Sequence, residues 1–470
     1  MASQSPQPEP GFDRSITKGP IHGAIWAIAW PTMLQNLVAG LQGLVDHAMV
    51  GHSVGFEGNA AIGVSWQIFI VIVVFISSLY SGMGVLVARF AGAGDRQRVS
   101  RVVFQVFVLS ALIGVFVFAP VGWFASPWLL DLVHAEAKVQ AEALPYLRIL
   151  FIFSLGMMFF FMVGGALRAA GDAKTPMRLG IAMTVLNVVL NVVLIRGLGP
   201  IPAFGTKGAA MGTVIAGAVV SGWAIYLLFS GKLVIDLRPA MTWRLDRGVI
   251  SQVFRFGLPT GFQGIAMNLG GVLMVRYVGT LENSAEAQAA FAVGYNQLFS
   301  FITWTSVALM AAASTVAGQS LGAGDPGRAA EAPGVAARLG MGVAVPLGLV
   351  FLFVPEPLLR AFGMADPAVL SLGGQLLAYL SLSGVFLTAA LSYTGALQGT
   401  GDTRSPMYIS IVSQLVLPLA ICAAIEVTRG LRPEDIWAAI VIGHLARCVL
   451  SMLRFRQGRW QGIRVELGEA

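Results

Sequence analysis

Charge is scarce in this sequence. Only 11% of the 470 residues are Asp, Glu, Lys or Arg, while 56% are apolar, against roughly 25% charged in an ordinary soluble domain. A water-soluble fold of this length has too little interior to hide so much apolar surface, so the composition points to the bilayer. Cysteine is nearly missing. Cys422 and Cys448 both sit in apolar segments, which offers neither a disulfide framework nor a zinc site. No His-Glu-x-x-His or comparable catalytic cluster is present, and no glycine-rich loop ends in Gly-Lys-Ser/Thr after a strand. An enzyme, a metal site, a nucleotide site and an organic cofactor are therefore not expected. The first 20 residues, polar and rich in proline, contain no apolar core followed by a cleavage site and read as a short tail instead of a signal peptide.

What is abundant is apolar sequence in blocks. A helix needs about 20 apolar residues to cross the hydrocarbon. Stretches of that kind fall near 24–51, 60–88, 101–125, 143–168, 176–198, 206–230, 251–279, 286–317, 334–354, 371–397, 406–428 and 433–454. The expected fold is all-α and integral to the membrane, with twelve transmembrane helices. Net charge is +7, which in a soluble protein would suggest nucleic acid. In a membrane chain the excess cations collect on cytoplasmic loops, so no nucleic-acid partner is expected. On this map 21 of the 30 Lys and Arg lie on the side of the two termini, 6 on the other side, and Arg148, Arg276 and Arg447 within spans. By the positive-inside rule both termini are cytoplasmic.

Self-comparison shows a duplication. Residues 165–177, GALRAAGDAKTPM, match 395–407, GALQGTGDTRSPM, at an offset of 230. AGAGD at 91–95 matches LGAGD at 321–325, and Gln67 falls on Gln297, at the same offset. The first span, from Pro31 to Gly51, aligns with Pro259 to Gly279 at 228. A nearly constant offset marks a repeated unit of about 230 residues. Six spans per unit make the repeat parallel, so two six-helix bundles enter the membrane the same way up. The division expected is a tail at 1–23, a lobe at 24–230, a linker at 231–250, a second lobe at 251–454 and a tail at 455–470. The Gly-Asp segments also have a structural explanation: glycine ends one helix in the left-handed conformation and aspartate caps the next.

These motifs resemble the MATE (multidrug and toxic compound extrusion) transporters. The first span, WPTMLQNLVAGLQGLVDHAMVGHSVG at 30–55, has the family's opening proline and its Gly-x-Val-Asp-x-x-x-Val-Gly close. The LGAGD loop, the repeated GAL-x-x-x-GD-x-x-x-PM loops, and LNVVLNVVLIRGLG at 186–199 with GTKGAAMGTVIA at 205–216 are similar to it in the same order. The resemblance implies an antiporter that expels amphipathic, often cationic compounds in exchange for protons or sodium, in the bacterial inner membrane. One branch carries carboxylates in its seventh and tenth helices. Here 251–279 and 371–397 contain no Asp or Glu, so the chain looks like the branch named after the DNA-damage-inducible protein F (DinF), whose coupling uses an Asp in the first helix. That position is Asp46.

Chemistry points to Asp46 independently. A carboxylate in a transmembrane helix costs about 2.5–3.5 kcal/mol on insertion scales. Gln35, Gln42 and Asp46, spaced by 7 and 4 residues, form one helical stripe that should face a bundle interior or a wet cavity. A solvated Asp capping the outer helix end is the alternative. The resemblance adds Asn187, Asn191 and Thr213 to the coupling site. Many relatives carry Asp where Asn191 stands, and one carboxylate with neutral oxygens is a weak sodium site, which favours H+ over Na+. Asparagines also serve as plain helix–helix glue. Gln35, Gln42, Gln67, Tyr295, Asn296 and Tyr393 are candidates for a substrate cavity. His47 cannot share a face with Asp46 and is expected to pack or sit at an interface. Arg276 either snorkels or pairs across the halves. The partners expected are small amphipathic substrates and the lipid bilayer, with the chain acting as a monomer. Export or flipping of an endogenous lipid-linked metabolite, and a passive channel, stay open.

Overall fold

The computed structural model describes residues 12–134, 136–241 and 243–465, and for Leu44, His47, Ala48, Phe56 and Pro239 the backbone alone. The expectation for the His47 side chain therefore lies outside the described residues. The described chain is helical from end to end. Twelve segments, named α1 to α12 in chain order, are Ile21–Ser53, Phe56–Gly92, Arg96–Leu132, a bent pair Ala137–Ile152 and Leu155–Ala169, Lys174–Arg196, Thr206–Phe229, Arg247–Val278, Ser284–Gly322, Pro326–Phe353, Pro367–Gly399, Arg404–Arg429 and Pro433–Arg456. Eleven are long and apolar enough to span a membrane individually; the halves of α4, bent by 51°, make the twelfth together. Several exceed the roughly 20 residues that a bilayer requires, so they tilt or project beyond it.

The repeated loops behave as helix punctuation. Gly94 and Gly324 take positive φ (75° and 80°), and Asp95 and Asp325 then cap α3 and α9 by accepting from Arg98 N and Arg328 N, each at 2.9 Å. Gly171 and Gly401 repeat the device (φ 102° and 100°), with Asp172 and Asp402 accepting from Thr175 N and Ser405 N. Asp402 has a further partner, a salt bridge of 2.8 Å to Arg454. The Gly-Asp motif is thus a turn and a cap, which is why both copies keep it.

The halves, α1–α6 and α7–α12, meet along a pseudo-two-fold seam in which α1 lies against α8 and α2 against both α7 and α8. Lipid tails are as apolar as leucine, so helices in a bilayer associate through close packing and hydrogen bonds. The seam is built that way at the α2 and α8 ends. A Cβ on Gly92 would stand 2.0 Å from the Gln319 carbonyl oxygen, and one on Gly322 would stand 2.1 Å from that of Arg89. Gly92 and Gly322, like Arg89 and Gln319, are 230 residues apart, so the contact is reciprocal. The tails reinforce this side. Arg328 donates to Ile16 O at 2.7 Å, and Arg89 donates to Ile463 O at 2.7 Å, so each terminal segment is held by the opposite half. Gln319 Nε2 also donates to Ala169 O at 2.8 Å. The halves are closed together at the end that carries both termini.

Candidate functional site

The stripe on α1 faces inward. Gln35 Oε1 accepts from Arg168 Nη1 of α4 at 3.3 Å, Gln42 Oε1 accepts from Thr184 Oγ1 of α5 at 2.8 Å, and Asp46 Oδ1 accepts from Asn191 Nδ2 of α5 at 2.7 Å. The three bonds tie one face of α1 to α4 and α5, the bundle-interior placement that a polar stripe requires in a membrane. Asp46 is half-buried, whereas Asn187 and Asn191 are fully buried. Tyr146 of α4 is buried close enough to feel the carboxylate's charge. Asp46 therefore sits inside the half, bonded to α5, and does not cap a helix end.

Asn187 and Asn191 lie one turn apart on α5, and Thr213 of α6 closes the group by donating its hydroxyl to Ala209 O at 3.0 Å. The Asn187 amide bridges this group, lying 3.2 Å from Asn191 Nδ2, Thr213 Oγ1 and Asp46 Oδ1. Asn191 Oδ1 is buried with no hydrogen-bond donor among the described residues and, with Nδ2 turned to Asp46, lies against α6. The close approach of α6 depends on Gly212, whose added Cβ would lie 2.0 Å from Asn191 Oδ1.

The six cavity candidates separate. Gln35 and Gln42 belong to the α1 stripe. Gln67 is exposed on α2 and joins none of these bonds. Tyr295 and Asn296 line a cavity of about 450 Å³ in the second half. Tyr393 is not in that cavity: its ring meets Phe455 edge-on at 5.6 Å, in the cluster that holds Trp460 of the carboxyl-terminal segment. Arg276 is exposed at the end of α7 and forms no ion pair across the halves among the described residues. Among the described residues no three or more His, Cys, Asp or Glu side chains cluster as metal ligands would. Sequence reasoning missed Thr184, Tyr146 and Gly212; only Thr184 left a signal, standing three residues before Asn187 on one helix face.

The MatE family pattern matches residues 31–193 and again 259–423, once in each half. The chain belongs to the MatE family. It is 27% identical over 439 residues to a probable multidrug resistance protein NorM of Thermotoga maritima, covering 92% of each chain. It is 24% identical over 451 residues to the multidrug resistance protein PmpM of Pseudomonas aeruginosa, covering 93% of this chain and 91% of that one. In fold it is similar to a MOP superfamily transporter from Pyrococcus furiosus, with a TM-score of 0.87, 22% identity and coverage of 97% and 98%. The outward-facing conformation of a multidrug resistance MATE family transporter superposes with a TM-score of 0.84 at 21% identity and the same coverage. This MatE chain is a multi-pass membrane transporter and not an enzyme.

Proposed function

We propose that the protein exports amphipathic, cationic compounds from the cytoplasm in exchange for protons, with Asp46 as the coupling carboxylate and Asn187, Asn191 and Thr213 as its partners. The reading places it in the bacterial inner membrane with both termini cytoplasmic, in the DinF-like branch, and divides it into lobes at 24–230 and 251–454 joined by the linker 231–250. Its main support is the half-buried Asp46 inside the first half, bonded to Asn191 at 2.7 Å: a carboxyl within a membrane whose surroundings alternate between wet and dry is suited to load and unload a proton each cycle. The multidrug resistance names of the NorM and PmpM relatives support the substrate class.

The same helix links coupling to substrate. Trp30, Met33, Leu34 and Leu37 of α1 line an apolar cavity of about 380 Å³ together with Phe301 and Trp304 of α8. Asn36 Nδ2 donates to Trp304 O at 3.2 Å, so α1 is held to the opposite half beside that cavity. A change in the bonds of Asp46 to α5 acts on the helix that forms the cavity wall, which is the differential interaction that alternating access requires.

In everted vesicles an acid interior drives uptake of a cationic dye in this reading, and Asp46→Asn abolishes it. Unchanged uptake in that variant would overturn the mechanism. Sodium is the second reading, favoured by the oxygens of the Asp46 carboxylate with the Asn187 amide and the Thr213 hydroxyl grouped near it. Proteoliposomes with pH and sodium gradients imposed one at a time separate the two.

A further inference from the structure

The second half contains a buried cation with no counter-ion. Arg447 on α12 is 1% exposed, and guanidinium stays protonated in proteins. Its Nε and Nη1 are buried without an acceptor, and it forms no ion pair among the described residues. The titratable groups that feel its charge are Tyr295 and His444, neither an anion at neutral pH in such surroundings. His444 is already engaged, Nδ1 pairing with Ser383 Oγ at 2.7 Å. Ser413 and Ser451 also bury hydroxyls with no partner, and Ser451 stands one turn from Arg447 on α12. A lone charge in the membrane interior is costly, and such residues face a cavity or pathway.

A cavity lies beside it: Arg447 stands behind the wall, and Tyr295 and His444, which feel its charge, line that wall. Tyr295, Asn296, Gln414 and His444 supply its polar wall, Met274 and Phe291 part of its apolar wall, and its volume is about 450 Å³. His444 is one turn before Arg447 on the same face of α12. Two of the helices lining it are locally widened: Tyr295 and Asn296 lie in the π-helical turn Ala292–Leu298 of α8, and Gln414 in that of Ile411–Val416 of α11. Such turns break the regular ladder and frequently mark functional sites. Met274 stands where the duplication places Asp46 in the first half. The cavity is therefore the two-fold counterpart of the Asp46 region, with a buried guanidinium behind its wall in place of a carboxylate.

We propose that this cavity binds an organic anion, a carboxylate or sulfonate on an apolar body, whose charge is neutralised by Arg447 and whose body packs against Met274 and Phe291. The proposal rests on the second half alone and does not require Asp46 to be the coupling group. The test uses full-length protein in detergent with naphthalene-2-sulfonate and its cationic counterpart naphthalen-2-ylmethylammonium, followed by equilibrium dialysis and thermal unfolding. The sulfonate is expected to bind and raise the unfolding temperature, in wild type and in Asp46→Asn alike, while the ammonium does not displace it. Arg447→Met is expected to weaken sulfonate binding at least about tenfold, as loss of charge-assisted bonds implies, and Arg447→Lys to retain part of it. Arg447→Met should also leave the ligand-free protein as stable or more so, because an unpaired buried charge becomes an apolar group. Sulfonate affinity equal in wild type and Arg447→Met, no sulfonate binding to wild type, or destabilisation of the ligand-free methionine variant would each overturn the proposal, the last by showing that Arg447 serves an internal partner.

Discussion

The two halves agree in backbone and disagree in charge. In the first, Asp46 is bonded to Asn191 and reachable by Asn187. In the second, the corresponding position is the apolar Met274, 6% exposed, and the buried ionisable group nearby is Arg447 on a different helix. The turns and caps are nevertheless the same: Gly94 with Asp95 matches Gly324 with Asp325, and Gly171 with Asp172 matches Gly401 with Asp402. Duplication retained what the backbone needs, namely a left-handed residue, a cap and a glycine at each crossing. Interior charge is free to diverge, because no turn or crossing depends on it. A pair of related bundles thus holds a carboxylate in one interior and, on another helix of its twin, a guanidinium with no ion pair among the described residues.

The comparison can be broken most severely at Asp46. If coupling belongs to the first half, Asp46→Asn loses all pH-driven dye exchange in proteoliposomes, and adding Met274→Asp to it restores none. At the repeat offset of 230 Asn187 and Asn191 fall on the apolar Leu417 and Ile421, so recovery of exchange in that double variant would show the halves to be interchangeable. The next largest effect is at the reciprocal seam. Gly92→Leu and Gly322→Leu each force a side chain into an opposing backbone carbonyl, which costs the closed arrangement about 3 kcal/mol or more. Both variants should open the terminal side of the seam equally, read as faster labelling of Ser314→Cys by an impermeant maleimide; Ser314 lines a cavity of about 220 Å³ between α2, α4 and α8, and Cys422 and Cys448 are buried. Labelling changed by only one of the two would mean the seam is not two-fold.

A smaller change sharpens the role of α6. Gly212→Ala pushes a methyl towards Asn191 Oδ1, with an expected cost of about 1–3 kcal/mol, a lower unfolding temperature, and weaker coupling than wild type. Substituting Ala for Gly222, which has open space around it, is the control that should change neither. The smallest effect is expected in the connection between the halves. The Asp236 carboxylate is held below its ordinary range, first by the Arg238 side-chain hydrogen bond, with burial opposing. Its folded-state value being lowered, any stabilisation is present above the ordinary carboxylate range and disappears as pH falls through the lowered value. The pair is largely exposed, so Asp236→Ala should change stability by less than about 1 kcal/mol at neutral pH and leave transport intact.

Much of the first half was legible before folding. Asp46 announces itself by the cost of a carboxylate in an apolar run, and Gln35 and Gln42 by their spacing on the same helix face. Asn187 and Asn191 sit one turn apart, so their common face is a local property. The cavity of the second half was only half legible. Tyr295 and Asn296 were marked by polarity in an apolar span, but Gln414 and His444 come from two other helices. Tyr393 looked equivalent to Tyr295 and instead packs with Phe455 and Trp460, because its height on α10 places it beside the carboxyl-terminal segment. Gln67 was a cavity candidate too, yet it stands exposed on α2, because the sequence of one span does not say which of its faces neighbouring helices cover.

What this sequence determined by itself was whatever depends on composition and on neighbours within a turn or two: membrane residence, the apolar segments, the parallel duplication, the glycine-aspartate caps and the polar stripe of α1. Tertiary structure alone decided what requires distant segments to meet. It set Gly92 against Gln319, joined Asp46 to Asn191 across 145 residues, and left Arg447 buried with no carboxylate beside it. Hydrophobic periodicity is a property of one helix, whereas a hydrogen bond or an unpaired charge is a property of the space between several.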